Sequence, residues 1–217
     1  MLSTPVREEI DHRTIKLIVG LIAVTLAGLT GLFTGFTINS ISASYYEGGW
    51  SQSIFIGFLF AIAAFLLAYN GTSRAEMILA KVASLAAVGV ALFPCACGGH
   101  LAVPYIHGAS AGAMFLILAF FAFRFYKRAR AKGHTEANRR AFIYALCVVG
   151  IVVSILTLGY DGLFGNALTN AFPKFTYVGE ALGLISFGIS WLTASRTLPG
   201  VTRSDERFSP LADQNPP

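Results

Sequence analysis

Residues 16–38 read KLIVGLIAVTLAGLTGLFTGFTI, an apolar run in which Lys16 is the one charged residue. Its length matches the ~20 residues that an α-helix needs to cross the ~30 Å hydrocarbon core of a bilayer. Backbone N–H and C=O groups cannot stay unpaired in lipid, and a helix pairs them within a single segment. The stretch therefore predicts a transmembrane helix.

Five more apolar runs follow it, and together they define the class of protein. The 217 residues are 55% hydrophobic and 12% charged, whereas a soluble domain carries about 25% charge. We therefore predict an all-α, polytopic membrane protein: a six-transmembrane-helix bundle over residues 16–195 with tails at 1–15 and 196–217. The second tail is polar and rich in proline, and is expected to be disordered. The five further spans are 53–69, 77–93, 106–125, 141–158 and 177–194.

The positive charges lie almost entirely at one end of these spans. Of the 16 Lys and Arg residues, 15 lie in the tails, in the connections between spans two and three and between spans four and five, or at the adjoining span ends. Lys174 is the exception. The positive-inside rule predicts that this end, with both termini, is cytoplasmic. The net charge of +5 then reflects cytoplasmic loops, so no nucleic-acid partner is expected. The short connections favour a bacterial inner membrane.

The three connections at the opposite end, 39–52, 94–105 and 159–176, are poor in basic residues and rich in polar side chains. Glu180 lies about one turn inside span six, and His107 opens span four. An ionisable group at the centre of a span costs roughly 2.5–3.5 kcal/mol, so such residues are usually paired or functional. We expect this outer polar cluster to bind a lipid headgroup or to brace the bundle. Its other candidate binding residues are Ser40, Ser44, Tyr45, Ser110 and Asp161.

A catalytic interpretation uses the same cluster. Nucleophilic catalysis requires a hydroxyl, a base that takes its proton and a group that orients the base. Ser42, or alternatively Ser44, would be the nucleophile, His107 the base and Glu180 the orienting acid. This set would serve a membrane-embedded lipid hydrolase or acyltransferase.

Cys95, Cys97 and His100 offer two thiolates and an imidazole, which are ligands that zinc prefers. Zinc sites usually have about two to four residues between the cysteines, whereas Ala96 alone separates this pair. The default expectation is therefore no cofactor. A metal-assisted hydrolase would instead combine His100, His107 and one acid around a bound water. The outward location of the two cysteines favours oxidation, but a disulfide between them would be strained, because alternate residues rarely present suitable geometry. The sequence therefore leaves their oxidation state open.

Three short motifs carry a resemblance to a known family. SISASY at 40–45, followed by a span that begins SIFIG at 53–57, resembles the first outer loop and second span of the DRAM/Frag/Sfk superfamily. HGASA at 107–111 is similar to its histidine-led fourth span, and Glu180 with SFG at 186–188 resembles its acidic final span. The resemblance covers most of the spanning region. It implies a six-helix bundle associated with lipid homeostasis, and it implies no particular reaction.

Three functions stay open at this point. The first is a lipid-associated membrane protein whose partners are membrane lipids. The second is the hydrolase or acyltransferase, using either the Ser/His/Glu set or a metal-bound water. The third is a small-molecule transporter, for which six helices suffice, although no selectivity filter or broken helix is visible in the sequence.

Overall fold

The structure is a computed structural model that describes residues 11–97 and 105–210. This part of the chain is all-α and contains six helices that are long and apolar enough to cross a membrane, which confirms the predicted bundle. Two of the connections between these six contain a short helix, and a 3-10 turn, Ser204–Glu206, follows the last of the six. The helices are α1 (His12–Phe33), α2 (Ser44–Glu47), α3 (Gly49–Ala68), α4 (Arg74–Leu92), α5 (Ile106–Lys132), α6 (Thr135–Leu163), α7 (Ala167–Ala171) and α8 (Phe175–Ser195).

Local backbone chemistry sets the ends of α1, which differ from the predicted span. The carboxylate of Asp11 accepts a hydrogen bond from a first-turn backbone N–H at 2.8 Å and so caps the helix before residue 16. The helix ends at Phe33 rather than at residue 38, because Gly35 and Phe36 adopt positive φ angles of 59° and 58°. The backbone therefore changes direction after α1 and turns back toward the bundle.

The predicted basic loop between spans four and five is mostly helical. Gly133 ends α5 in the left-handed conformation with φ of 74°, which glycine adopts without a steric penalty. The side chain of His134 then accepts a hydrogen bond from Ala137 N at 3.2 Å and caps α6. The cations of residues 124–140 consequently project from two neighbouring helices.

The six long helices form a closed ring in the order α1, α3, α4, α5, α6, α8, and α5 also contacts α8. The backbones of α1 and α8 approach closely, since a Cβ on Gly188 would lie 2.8 Å from the carbonyl oxygen of Gly20. Small residues permit such crossings, which stabilise helix association in lipid. Trp191 is fully buried in the core and contacts the rings of Tyr69 and Phe121.

The bundle has two chemically different ends. We call the first the basic end; it carries residues 11–16, 69–73, 133–134 and 196–210. We call the second the serine end; it carries residues 34–48, 93–97 and 164–174.

The sequence predicts a disordered C-terminal tail, but residues 196–210 lie against the basic end. Arg140 is 2% exposed and donates to the carbonyl of Val201 at 2.7 Å and to the carboxylate of Glu206 at 3.1 Å. Phe208 is buried, and its N–H donates to the carbonyl of Arg196 at 3.0 Å. A buried arginine without acceptors would be costly. This polar tail therefore docks because it supplies those acceptors.

A buried carboxylate, that of Glu76, joins α4 to α5 at the basic end. Its side chain has no exposed surface and accepts from Arg124 at 3.0 Å and from Arg128 at 3.1 Å. The backbone N–H of Thr72 donates to it as well, at 3.0 Å. Ser73 caps α4 by accepting from Glu76 N at 3.3 Å. The hydropathy pattern does not single out Glu76, but Ser73 and Glu76 have the spacing of a capping box.

Glu76→Ala should destabilise the bundle, because it leaves two arginines facing each other without a carboxylate. Breaking a buried ion pair costs about 3–5 kcal/mol, and the partial exposure of both arginines places this case near the lower figure. Thermal unfolding in detergent should show a clearly lower midpoint. Glu47→Ala removes an exposed acid and is the control, for which we expect no change. Equal midpoints in the two variants would contradict this role of Glu76.

Candidate functional site

The serine end is built around residues 34–43, a connection that turns back into the bundle. Ile41 is 1% exposed, and Ser40 and Ser42 are also buried. Gly31 makes room for the turn, because a Cβ there would overlap a phenylalanine ring of the connection itself. The polar groups of this connection therefore face the interior of the bundle.

Lys174, the one basic residue that breaks the charge pattern of the sequence, anchors this connection. Its ammonium group donates to the backbone carbonyls of Phe36 at 2.6 Å and of Ile38 at 2.5 Å. Tyr177 N donates to the carbonyl of Asn39 at 3.0 Å. These bonds hold the connection against the start of α8. The isolated position of Lys174 among charge-poor connections was the signal in the sequence for this role.

Glu180, on α8, is the central acceptor of the site. Its Oε2 atom accepts from Ile41 N at 2.5 Å and from Ser40 Oγ at 2.9 Å, and its Oε1 atom accepts from Ser42 Oγ at 2.9 Å. Ser42 N donates to Ser40 Oγ at 3.1 Å. Three consecutive residues thus supply donors to one carboxylate. A hydrogen bond to a charged group contributes about 1.5–3 kcal/mol, so this set holds the connection in place.

His107, in the first turn of α5, is fixed on both sides of its ring. Its Nδ1 atom lies 2.8 Å from the carbonyl oxygen of Phe93, at the end of α4. A carbonyl can only accept, so Nδ1 carries a proton. Its Nε2 atom lies 3.0 Å from Ser42 Oγ. The imidazole is therefore oriented by the backbone and faces the serine.

The structure brings Ser42, His107 and Glu180 together, but in a different order from the predicted one. In a Ser–His–acid triad the acid binds the imidazole nitrogen remote from the serine. Here the Phe93 carbonyl occupies that position, and Glu180 binds the serine instead. The three side chains form a chain with Ser42 in the middle, which we call the Ser–His–Glu network. Their chemical roles stay predictions.

This order determines how many protons the network holds. The links from His107 Nε2 to Ser42 Oγ and from Ser42 Oγ to Glu180 Oε1 each need one proton. The serine hydroxyl supplies only one. The second resides either on Nε2, which gives an imidazolium and a carboxylate, or on Glu180, which gives two neutral groups. In both cases the network has no net charge.

Two cavities meet at this network. The outer cavity, of about 900 Å³, lies at the serine end among polar side chains such as Asn166 and Thr169. The inner cavity, of about 450 Å³, lies between the long helices among apolar side chains such as Phe55 and Phe115. Both volumes fall within the ~300–1,000 Å³ of typical ligand sites. The residues that line both cavities are His107, Gly108 and Thr176.

Ser44, the alternative nucleophile, does not join the network. It is fully buried in the first turn of α2, and its hydroxyl has no hydrogen-bond partner within residues 11–97 and 105–210. Of the two serines that were candidates for the nucleophile, Ser42 is therefore the one that contacts His107.

Asp161, a predicted binding residue, caps a short helix instead. Its carboxylate accepts from Leu168 N at 2.7 Å, from Thr169 N at 3.1 Å and from Thr169 Oγ1 at 2.5 Å. These bonds hold α7 against the end of α6, and Asp161 is 3% exposed. These contacts are structural, and the predicted binding role of Asp161 stays a prediction.

Tyr45 and Ser110, the remaining candidates, make packing contacts, and their binding roles stay predictions. The ring of Tyr45 packs edge-on against that of Tyr46. The hydroxyl of Ser110 lies where α4 and α5 meet, so close that a Cβ on Gly89 would overlap it. Ser40, by contrast, belongs to the shell of donors around Glu180.

Cys95 and Cys97 form a disulfide, whereas the sequence left their oxidation state open. Disulfide sulfurs are not thiolates, and the thiolate is the metal ligand, so the pair does not supply the predicted zinc site. Within the described residues no group of three or more His, Cys, Asp and Glu side chains could hold a metal ion. His100, the predicted third ligand and part of the metal-assisted hydrolase, lies outside those residues.

The fold and site define the class of the protein. It is a multi-pass membrane protein with six spanning helices and a Ser–His–Glu network between a polar and an apolar cavity. No protein-family model matches the chain, and neither does a curated protein sequence or a solved structure.

The two buried serines of this site make a matched pair for mutation. Ser42→Ala removes a donor to Glu180 and the partner of His107, so it should lower the free energy of unfolding by about 1–2 kcal/mol. Ser44→Ala removes a hydroxyl that is buried without a partner, so it should leave stability unchanged or raise it. Thermal unfolding of both variants in detergent measures the difference. A larger loss in Ser44→Ala would mean that the network does not stabilise the serine end.

Proposed function

We propose that the protein binds a membrane lipid, with an acyl chain in the inner cavity and the headgroup in the outer cavity beside the Ser–His–Glu network. The observation that supports this most directly is the meeting of a polar and an apolar cavity at His107, Gly108 and Thr176. A pair of cavities of this kind suits a molecule that is polar at one end and apolar at the other. The resemblance to the DRAM/Frag/Sfk superfamily, with its implied link to lipid homeostasis, agrees with this function.

The polar lining of the outer cavity favours an uncharged headgroup. Its described side chains include the amides of Asn39, Asn166 and Asn170 and the hydroxyl of Thr169, which can both donate and accept hydrogen bonds. Lys and Arg do not occur among its described lining residues, and Glu47 is acidic. Glycerol or sugar hydroxyls fit such a lining better than a phosphate does.

We also propose that the basic end faces the cytoplasm and the serine end the outer side of a bacterial inner membrane. The support is the placement of 15 of the 16 Lys and Arg residues and the rule that such residues stay inside. In intact cells, an impermeant maleimide should label Glu47→Cys, whereas Arg130→Cys should react only after the cells are opened. The reverse pattern of labelling would overturn this orientation.

A second function, lipid ester hydrolysis or acyl transfer, is favoured by the contact of 3.0 Å between Ser42 Oγ and His107 Nε2. Ser42 Oγ would attack an ester carbonyl of the bound lipid while Nε2 takes the hydroxyl proton. As the ester C–O bond breaks, Nε2 would return that proton to the leaving alcohol oxygen, and water or an acceptor hydroxyl would then release the acyl group from Ser42. Only one of the two protonation states permits the attack, because an imidazolium cannot accept a proton. The reactive state would therefore have its second proton on Glu180.

Filling the inner cavity tests lipid binding. Gly112 lies in the wall of this cavity, and a Cβ there would have no atom within 4 Å. Gly112→Leu should therefore place an apolar side chain in the cavity and reduce the lipid that co-purifies with the protein, as measured by native mass spectrometry. Gly57→Leu is the matched control, because that position on α3 is exposed and equally unobstructed.

Equal lipid content in the two leucine variants would contradict the inner cavity as the acyl-chain site. Incubating each of these proteins with a diacyl lipid distinguishes lipid binding from lipid hydrolysis. Suppose that Gly57→Leu still releases fatty acid, whereas Ser42→Ala and Gly112→Leu do not. That result would support an enzyme. Bound lipid that stays intact in the wild type supports binding alone.

A further inference from the structure

A third cavity lies at the basic end, far from the Ser–His–Glu network. Its volume is about 150 Å³, and α1, α5, α6 and the end of α8 contribute to its wall. Like charges gathered in such a small space repel one another unless anions lie among them. The cations that line it are Lys16, Arg128, Lys132, Arg140 and Arg196. We call it the basic cavity.

Two carboxylates reach these cations and leave a surplus of positive charge. Glu76 binds Arg128 at 3.1 Å, and it shares its charge with Arg124, which lies outside the cavity wall. Glu206 comes from the docked tail. Its partners are Lys132, Arg140 at 3.1 Å and Arg196 at 2.7 Å. Among residues 11–97 and 105–210, these five cations pair with two carboxylates, so at least three positive charges of this set stay uncompensated.

Two of these cations, Lys16 and Arg128, have N–H donors that are available to a ligand. The ammonium group of Lys16 lies 5.5 Å from the ring centres of both Tyr69 and Phe125 and forms no ion pair within the described residues. The Nη2 atom of Arg128 is buried and has no hydrogen-bond partner in that part of the chain. Arginine N–H groups match the oxygens of phosphate in geometry. An anion with several oxygens would satisfy both side chains.

Glu206 shows that three cations of the cavity wall, Lys132, Arg140 and Arg196, stabilise a carboxylate. Burial raises the pKa of its carboxyl group, but the hydrogen bond from Lys132 and the charge of Arg196 outweigh that effect and hold the pKa at about 2. The group is therefore ionised at neutral pH and acts as an anion supplied by the chain itself.

We propose that the basic cavity binds an anionic phosphate group between Lys16 and Arg128, with Glu206 as the competing anion. A free phosphate and the phosphodiester of an anionic lipid share this chemistry. If the basic end is cytoplasmic, as proposed above, the cavity lies near the inner-leaflet headgroups, where basic pockets between helices bind anionic lipid. The lipid source rests on that orientation, whereas the phosphate site itself does not.

Native mass spectrometry of the full chain, purified and delipidated in detergent, tests the site. The probes are short-chain phosphatidylglycerol, short-chain phosphatidylcholine and inorganic phosphate as a competitor. The wild type should bind phosphatidylglycerol more tightly than phosphatidylcholine. Lys16→Gln should weaken the binding of phosphatidylglycerol about five-fold, the effect of one nearby cation, and Glu206→Gln should strengthen it by a similar factor. Lys127→Gln removes an exposed charge outside the cavity and should change nothing.

Competition by inorganic phosphate supports a site for the phosphate group from either source. Failure to compete, with the variant effects retained, supports an anionic lipid as the ligand. Equal losses in Lys16→Gln and Lys127→Gln would overturn the proposal, because diffuse surface charge would then explain binding. No gain in Glu206→Gln would also overturn it, even if Lys16→Gln fails to fold. None of these results bears on lipid binding at the serine end, which Gly112→Leu tests separately.

Discussion

The arrangement of the serine end depends on one requirement, which is that the carboxylate of Glu180 inside an apolar bundle must find hydrogen-bond donors. The helix that carries it cannot provide them, because backbone N–H groups within α8 are bonded four residues back. The donors come instead from Ser40, Ile41 and Ser42. The connection after α1 therefore folds inward, although connections usually run over the surface because their backbone groups need partners. That inward turn places Ser42 against His107 and separates the two cavities.

The requirements of the bilayer made the six spans predictable from hydropathy. Hydropathy does not determine where each helix begins and ends. A span must be long, apolar and helical, so hydropathy alone located the six long helices. Their ends were less predictable, because they depend on single residues such as Asp11, Gly35 and Gly133. The extension of α5 and α6 beyond the spans lies outside the apolar pattern, so hydropathy could not reveal it.

The members of the site were predictable, but their connections were not. His107 and Glu180 stood out because ionisable residues are rare in spans, and Ser42 stood out by its position in the neighbouring connection. Which group binds which depends on the path of the backbone, and here the carbonyl of Phe93 takes the place expected for Glu180. A sequence does not show which backbone carbonyl will accept a hydrogen bond from a side chain, because every residue has one. The capping contacts of Asp161 were unpredictable for a similar reason, since a helix cap and a ligand-binding acid look alike in a sequence.

The two ends of the bundle differ in net charge, and this difference bears on which ligands each end can bind. The Ser–His–Glu network has no net charge in either protonation state, whereas the basic cavity holds a surplus of cations. Glu180 and Arg196 lie near opposite ends of α8, about 24 Å apart at 1.5 Å per residue. One acyl chain covers only about half of a ~30 Å hydrocarbon core. A single lipid therefore cannot occupy both sites, and each site, if it binds lipid, takes a separate molecule from its own leaflet.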